Sequence, residues 1–227
     1  MSVMTIPDAW YVQDRTLTVE DMESMPDDEF RYELDDGVLI VSPAPSRLHQ
    51  LAVTRLAVIL TTSCPAELVV LAGVGVNISE FQHRVPDVAV VRAGSLDTFF
   101  EETPPEVVVE VASPRTRLYD RNRKKDVYQG FGIPAYWIVE PDLDHPGLTV
   151  FELRSGTYEQ TVHVTGDQEY RAAIPFPVTV ARSKGQNALV GSRVAYKSSA
   201  AFRPATGADE LPHGKSQSSQ SALACRP

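Results

Sequence analysis

Val107–Pro141 reads VVVEVASPRTRLYDRNRKKDVYQGFGIPAYWIVEP. The valine run at its start has the length and residue types of a buried strand. A polar stretch with helical spacing follows, from Leu118 to Phe131, and Gly130 to Pro134 punctuate its end. AYWIVEP then reads as a second strand. Strand, helix, strand predicts a mixed α/β or α+β domain. The exception is Glu110, a carboxylate in the middle of the valines. On a strand Val107, Val109 and Val111 share one face, and Glu106, Val108 and Glu110 the other.

The flanking sequence extends the pattern. Thr18 to Asp21 resembles a capping box opening a short helix that ends near Pro26. FRYELDDGVLIVSP alternates around Asp35-Asp36-Gly37, a hairpin-type turn. Ser46 caps a helix whose Leu48, Leu51, Ala52, Leu56, Ile59 and Leu60 make one apolar face before Pro65. LVVLAG, GVGVNIS, PDVAVVR and EVVVEVAS read as strands, as do LTVFEL and YEQTVHV, which are joined by a turn at Arg154 to Thr157. A last strand is expected over Phe176 to Val180. The prediction is one central sheet with helices inserted at two places, and no internal repeat.

Residues 1–16 read as a loose arm, 17–180 as the domain, and 181–227 as a basic low-complexity tail expected to be disordered. Net charge is −9. The tail holds seven Lys/Arg against two Asp/Glu, a net of +5, which leaves −14 for residues 1–180. So acidic a body excludes broad, non-specific nucleic-acid binding but not a local basic groove. No segment approaches the roughly 18 apolar residues of a membrane helix, and the N-terminus lacks the features of a signal peptide. Two cysteines, Cys64 and Cys225, make no metal-ligand spacing, and a reducing, cytoplasmic compartment is expected.

A lone glutamate in a strand ordinarily faces water at a sheet edge. The company of Glu110 suggests otherwise. Asp87 opens PDVAVV just after Pro86, and if these strands are neighbours the two carboxylates meet at one end of the sheet. Converging carboxylates repel unless they share a cation. Oxygen-only ligands point to Mg²⁺ or Mn²⁺ rather than zinc. Asp120, Lys124 and Tyr128 fall at i, i+4 and i+8 on the next helix. They make either a surface ion pair or a lysine reaching back to a metal-bound water. Tyr136 and Trp137 alternate on their strand, which places one in the core.

YELDDG, RVPDVAVV and PPEVVVEVASPRTRLYDRNRKKDVYQGFGIPAYWIVEP resemble the Uma-two family of restriction endonucleases, within the PD-(D/E)XK nuclease superfamily. The likeness spans roughly Leu17 to Val180. It implies a restriction-endonuclease-like fold: a central mixed β-sheet flanked by helices. It implies Asp87 and Glu110 as ligands of Mg²⁺ or Mn²⁺, aided by Glu33. The superfamily lysine normally stands two residues after the glutamate, and Ala112 occupies that position. Lys124 matches the displaced lysine by its spacing to Tyr128, ahead of Lys125. Gln50 matches a recurrent position, His49 beside it reads as a helix-surface residue, and Ser113 is a candidate hydrogen-bonding group near the site. DNA is the implied substrate, with products bearing a 5′-phosphate and a 3′-hydroxyl. A homodimer is the frequent assembly where both strands are cut. The competing reading is a nuclease-fold binding or regulatory module without catalysis.

Overall fold

The valine run lies in the interior of a sheet, not at its edge. In the computed structural model, which describes residues 16–25, 30–42, 44–95, 100–113 and 117–181, six strands pair into one sheet. In spatial order they are β10 (Thr157–Thr165), β9 (Gly147–Arg154), β8 (Ala135–Glu140), β7 (Val107–Val111), β6 (Val88–Arg92) and β3 (Leu68–Ala72). All neighbours are antiparallel except β7 and β8. A parallel pair needs a crossover, and the helix of residues 117–131 makes it. That helix, α3, runs as an α-turn Arg117–Tyr119, a π-helical segment Asp120–Lys124 and an α-helix Lys125–Phe131. It ends on Gly132 at φ +87, where the missing Cβ removes the left-handed penalty. The π-helical segment is not legible in the α-type spacing of Asp120, Lys124 and Tyr128.

The two faces of this sheet hold separate cores. Helix α2, Arg47–Ser63, buries Ala52, Leu56, Ile59 and Leu60 against Val88, Val90, Val107 and Val109. Burial of each larger aliphatic side chain contributes about 1.5–3 kcal/mol. On the opposite face Tyr128 packs with Ala89, Val91, Val108, Tyr136 and Ile138. Tyr136 and Trp137 are therefore both buried, one in each core. Trp137 stacks edge-on to Tyr170. Both faces being covered, neither aromatic has a route to solvent.

A second sheet, β2-β1-β5-β4, comprises β1 Arg31–Asp35, β2 Val38–Ser42, β4 Val76–Ser79 and β5 Gln82–Arg84. Its β1–β2 turn is the expected one, with Asp36 at φ 49 and Gly37 at φ 76. A Cβ on Gly37 would also strike Thr16 Cγ2. Helix α1, Val19–Glu23, carries its capping box at Thr18. The strands β11 Tyr170–Ala172 and β12 Val178–Val180 pair by themselves. The central mixed sheet expected from sequence is the six-stranded one; two further sheets stand beside it among the described residues, and their strands β5 and β11 were not anticipated. The N-terminal arm apart from Thr16, and the tail apart from Ala181, lie outside the described residues.

Candidate active site

Asp87 occupies the junction between the two larger sheets, after β5 ends at Arg84 and before β6 begins at Val88. The β6–β7 ladder pairs Val88 with Val109. One step further, Asp87 stands opposite Glu110. Cross-strand partners put their side chains on the same face about 5 Å apart. The backbone N–H of Val111 donates to Asp87 Oδ2 at 2.7 Å and fixes that carboxylate against β7.

Glu110 is buried beneath α3. Lys124 Nζ donates to its Oε1 at 2.9 Å, and the Tyr128 hydroxyl donates to the same oxygen at 2.6 Å. Lys124 also reaches Glu33 Oε1 at 3.3 Å. The Val85 N–H donates to the same Glu33 oxygen at 2.9 Å. Asp120 and Lys124, open from sequence to being a surface pair, are both buried on α3. The structure thus brings Glu33, Asp87, Glu110, Lys124 and Tyr128 together. Gln50 lines the cleft on which Asp87 opens. Ser113 follows β7 and is half-buried.

Three contributors were missed in the sequence. His49 is no surface residue, because its Nε2 lies 3.1 Å from Asp87 Oδ2. Arg31 donates from Nη1 to Asp87 Oδ1 at 3.0 Å. Asp35, read as a turn residue, is a hub. It accepts from Arg84 at 2.6 Å, the Tyr119 hydroxyl at 2.9 Å, Arg123 Nε at 2.9 Å and Gln82 at 3.1 Å. Arg31, Glu33 and Asp35 alternate along β1, so one strand face supplies contacts to Asp87, Lys124 and the start of α3. The signal available was this period-two run of charges in RYELD.

The charges are unevenly balanced. Burial pushes the Glu110 carboxyl up to about 8 despite Lys124, and Asp87, Asp120 and Glu33 add to the rise. Burial acts to lower the Lys124 ammonium, but Glu110, Glu33 and Asp120 hold it above the ordinary lysine value. Burial acts to raise Asp87, yet His49, Arg31 and the Val111 N–H keep it below the usual carboxylate range. Glu33 is likewise lowered against its burial, by Lys124, Arg31 and the Val85 N–H.

Among the described residues no group of three or more His, Cys, Asp or Glu side chains is arranged to hold a metal ion. Mg²⁺ does not require one: it keeps several waters and is commonly bound through one or two carboxylates plus substrate phosphate. Asp87 and Glu110 on one face of adjacent strands are such a pair. Burial raises Glu110 first, and the neighbouring carboxylates Asp87, Asp120 and Glu33 add to it, so a cation here would meet carboxylate charge. The donor set therefore fits a hard divalent cation, with Arg31 giving up its hold on Asp87.

Asp87, Arg31, His49 and Gln50 open on a cleft of about 930 Å³. Glu33, Glu110 and Lys124 lie behind it, each 2–3% exposed.

The profile of the Uma2 family, described as "Putative restriction endonuclease", matches residues 19–182. No curated protein matches the chain. A crystal structure titled as a "putative nuclease belonging to DUF820", from Anabaena variabilis, superposes with a TM-score of 0.57. It is 14% identical, and the match covers 70% of this chain and 89% of that one. At that identity the likeness speaks to the fold.

Proposed function

The chain belongs to the Uma2 family, and from that premise we propose that it is a metal-dependent nuclease hydrolysing phosphodiester bonds in DNA. The observation that carries this reading is Asp87 opposite Glu110, with Lys124 on Glu110 at 2.9 Å and the cleft opening at Asp87. Asp87 and Glu110 would hold Mg²⁺ or Mn²⁺, with Glu33 as support. When bound, such a cation lowers the pKa of water and offsets charge on the phosphoryl oxygens.

The chain's own residues divide the remaining work. Lys124, held as an ammonium, donates hydrogen bonds and positive charge and does not accept a proton. It orients Glu110 and Glu33 and counters the charge that develops at the phosphate. Tyr128 fixes Glu110 Oε1 from the opposite side. The Val111 N–H and His49 fix the rotamer of Asp87. The displaced lysine thus approaches the glutamate from the crossover helix rather than from the strand that bears it.

The test is cleavage of supercoiled plasmid and single-stranded DNA with Mg²⁺, Mn²⁺ or EDTA. Asp87→Asn and Glu110→Gln should each lower metal-dependent cleavage at least about 100-fold, the scale of losing a transition-state charge contact, with the circular dichroism spectrum unchanged. Lys124→Ala is the poorer variant. It strands two buried carboxylates and costs about 3–5 kcal/mol of stability.

The burial of Glu33, Glu110 and Lys124 favours a second reading, a nuclease-fold binding or regulatory module. Absence of cleavage by the unaltered protein on both substrates and with both metals would favour that module over the nuclease.

A further inference from the structure

The cleft at Asp87 is lined by two kinds of residue. Some are polar: Arg31, His49, Gln50 and Asp87 itself. Others are apolar or aromatic: Met22, Met25, Phe30, Tyr32 and Phe100. Phe30 keeps 38% of its surface exposed although it directly precedes Arg31, whose side chain contacts Asp87. Phe100 is set edge-on against His83 at 5.0 Å between ring centroids.

Resting on the nuclease reading, we propose that this cleft takes an unpaired nucleotide, so that the substrate is single-stranded or locally melted DNA. The base would lie against Phe30, Tyr32 and the two methionines, and the adjoining phosphate would meet Arg31 beside Asp87. Three observations support this. A volume of about 930 Å³ lies within the roughly 300–1,000 Å³ of sites that enclose one small molecule. It suits a nucleotide or two and not a stretch of duplex, whose bases are stacked and whose groove edges are polar. A phosphate-binding group and aromatic groups in one cleft are the combination that single strands require, because every base offers a π-face. Finally, residues 1–180 carry −14, a field that opposes tracking along a duplex backbone and leaves recognition to short-range contacts. Arg31 is the guanidinium on hand for one phosphate once the cation has taken Asp87.

Fluorescence anisotropy with a 5′-labelled oligonucleotide tests the proposal, using the full chain and Ca²⁺ to hold the substrate uncut. The same sequence is offered as single strand and as blunt duplex. The single strand should bind at least about tenfold more tightly, the scale of one stacked base. Phe30→Ala should remove about tenfold from single-strand affinity without changing duplex affinity or melting temperature, and Phe30→Trp should restore it. Equal affinity for the two forms, no single-strand binding, or a Phe30→Ala variant that binds like the parent would each overturn the proposal. Plasmid cleavage on the same preparation separates the two claims. Metal-dependent cutting without single-strand preference leaves the nuclease and removes the unpaired nucleotide. Single-strand binding lost in Phe30→Ala, without cutting, does the reverse.

Discussion

At Glu110, burial and three neighbouring carboxylates outweigh one lysine, and the consequence is a dependence on pH. Its folded pKa of about 8 exceeds the ordinary 4.5. Between those values the folded state holds a proton that the unfolded chain has lost, so this group's contribution falls as pH rises. His83 acts in the opposite sense. Burial depresses it from 6.5 to about 4, so the unfolded chain binds the extra proton there and stability rises with pH. The two slopes cancel between about 4.5 and 6.5, and only the decline from Glu110 remains from about 6.5 to 8. The metal-free protein should lose about 2 kcal/mol over that window. Saturating Mg²⁺, which favours the carboxylate, should abolish the loss. Chemical unfolding at several pH values with and without Mg²⁺ measures both, and a flat metal-free profile would refute the assignment.

At the scale of the element, β1 and the π-helical segment of α3 form one unit joined through Asp35. Arg84 is fully buried, donating to Asp35 and to the Leu34 carbonyl at 2.7 Å. Arg123 reaches the same carboxylate from a side chain 38% exposed. The two ion pairs should therefore differ in what their loss costs. Asp35→Ala leaves the Arg84 charge buried without its partner and should cost about 3–5 kcal/mol. Arg123→Ala removes a solvent-screened pair and should cost about 0–1 kcal/mol. Urea unfolding of both variants checks the ranking, and similar costs for the two would deny Asp35 its place as the hub. Extra residues per turn in a π-helix mark many functional sites. Here that segment buries Asp120 and Lys124 while presenting Arg123 to Asp35, which Tyr119 reaches from the turn just before it.

For the whole molecule, the separation of charge sets how binding responds to salt. Arg31 is the arginine that lines the cleft. A single strand held by one or two phosphate contacts gives a slope of log K against log[salt] of about −0.7 to −1.4. A much steeper slope would assign phosphate contacts to the basic segment 181–227. No helix among the described residues is long and apolar enough to cross a membrane. Much of this architecture was legible in sequence, because valine runs, caps and the Asp-Gly turn act locally. Glu110 and Asp87 stood out as charges inside apolar strands. Arg31, His49, Asp35 and Arg84 did not, because each is held by a partner 38 to 88 residues away, and a charged residue near a turn reads as surface until that partner is known. Strand β5 was hidden for the same reason: Gln82, His83 and Arg84 are all buried, but their composition is that of a loop.

The crossover that makes β7 and β8 parallel also decides the order in which the site can assemble. Glu110 meets Lys124 and Tyr128 across 14 and 18 residues, within one strand and the helix that follows it. Glu33 meets Lys124 across 91, and Arg123 meets Asp35 across 88. Closing the longer loop costs about 1.7 kcal/mol more chain entropy than closing the shorter. The glutamate–lysine–tyrosine half therefore belongs to the local, rapidly formed part of the folding landscape. The half supplied by β1 closes over the longer loop and is expected to join later, so the Glu33 contact should be the last part of the site to form.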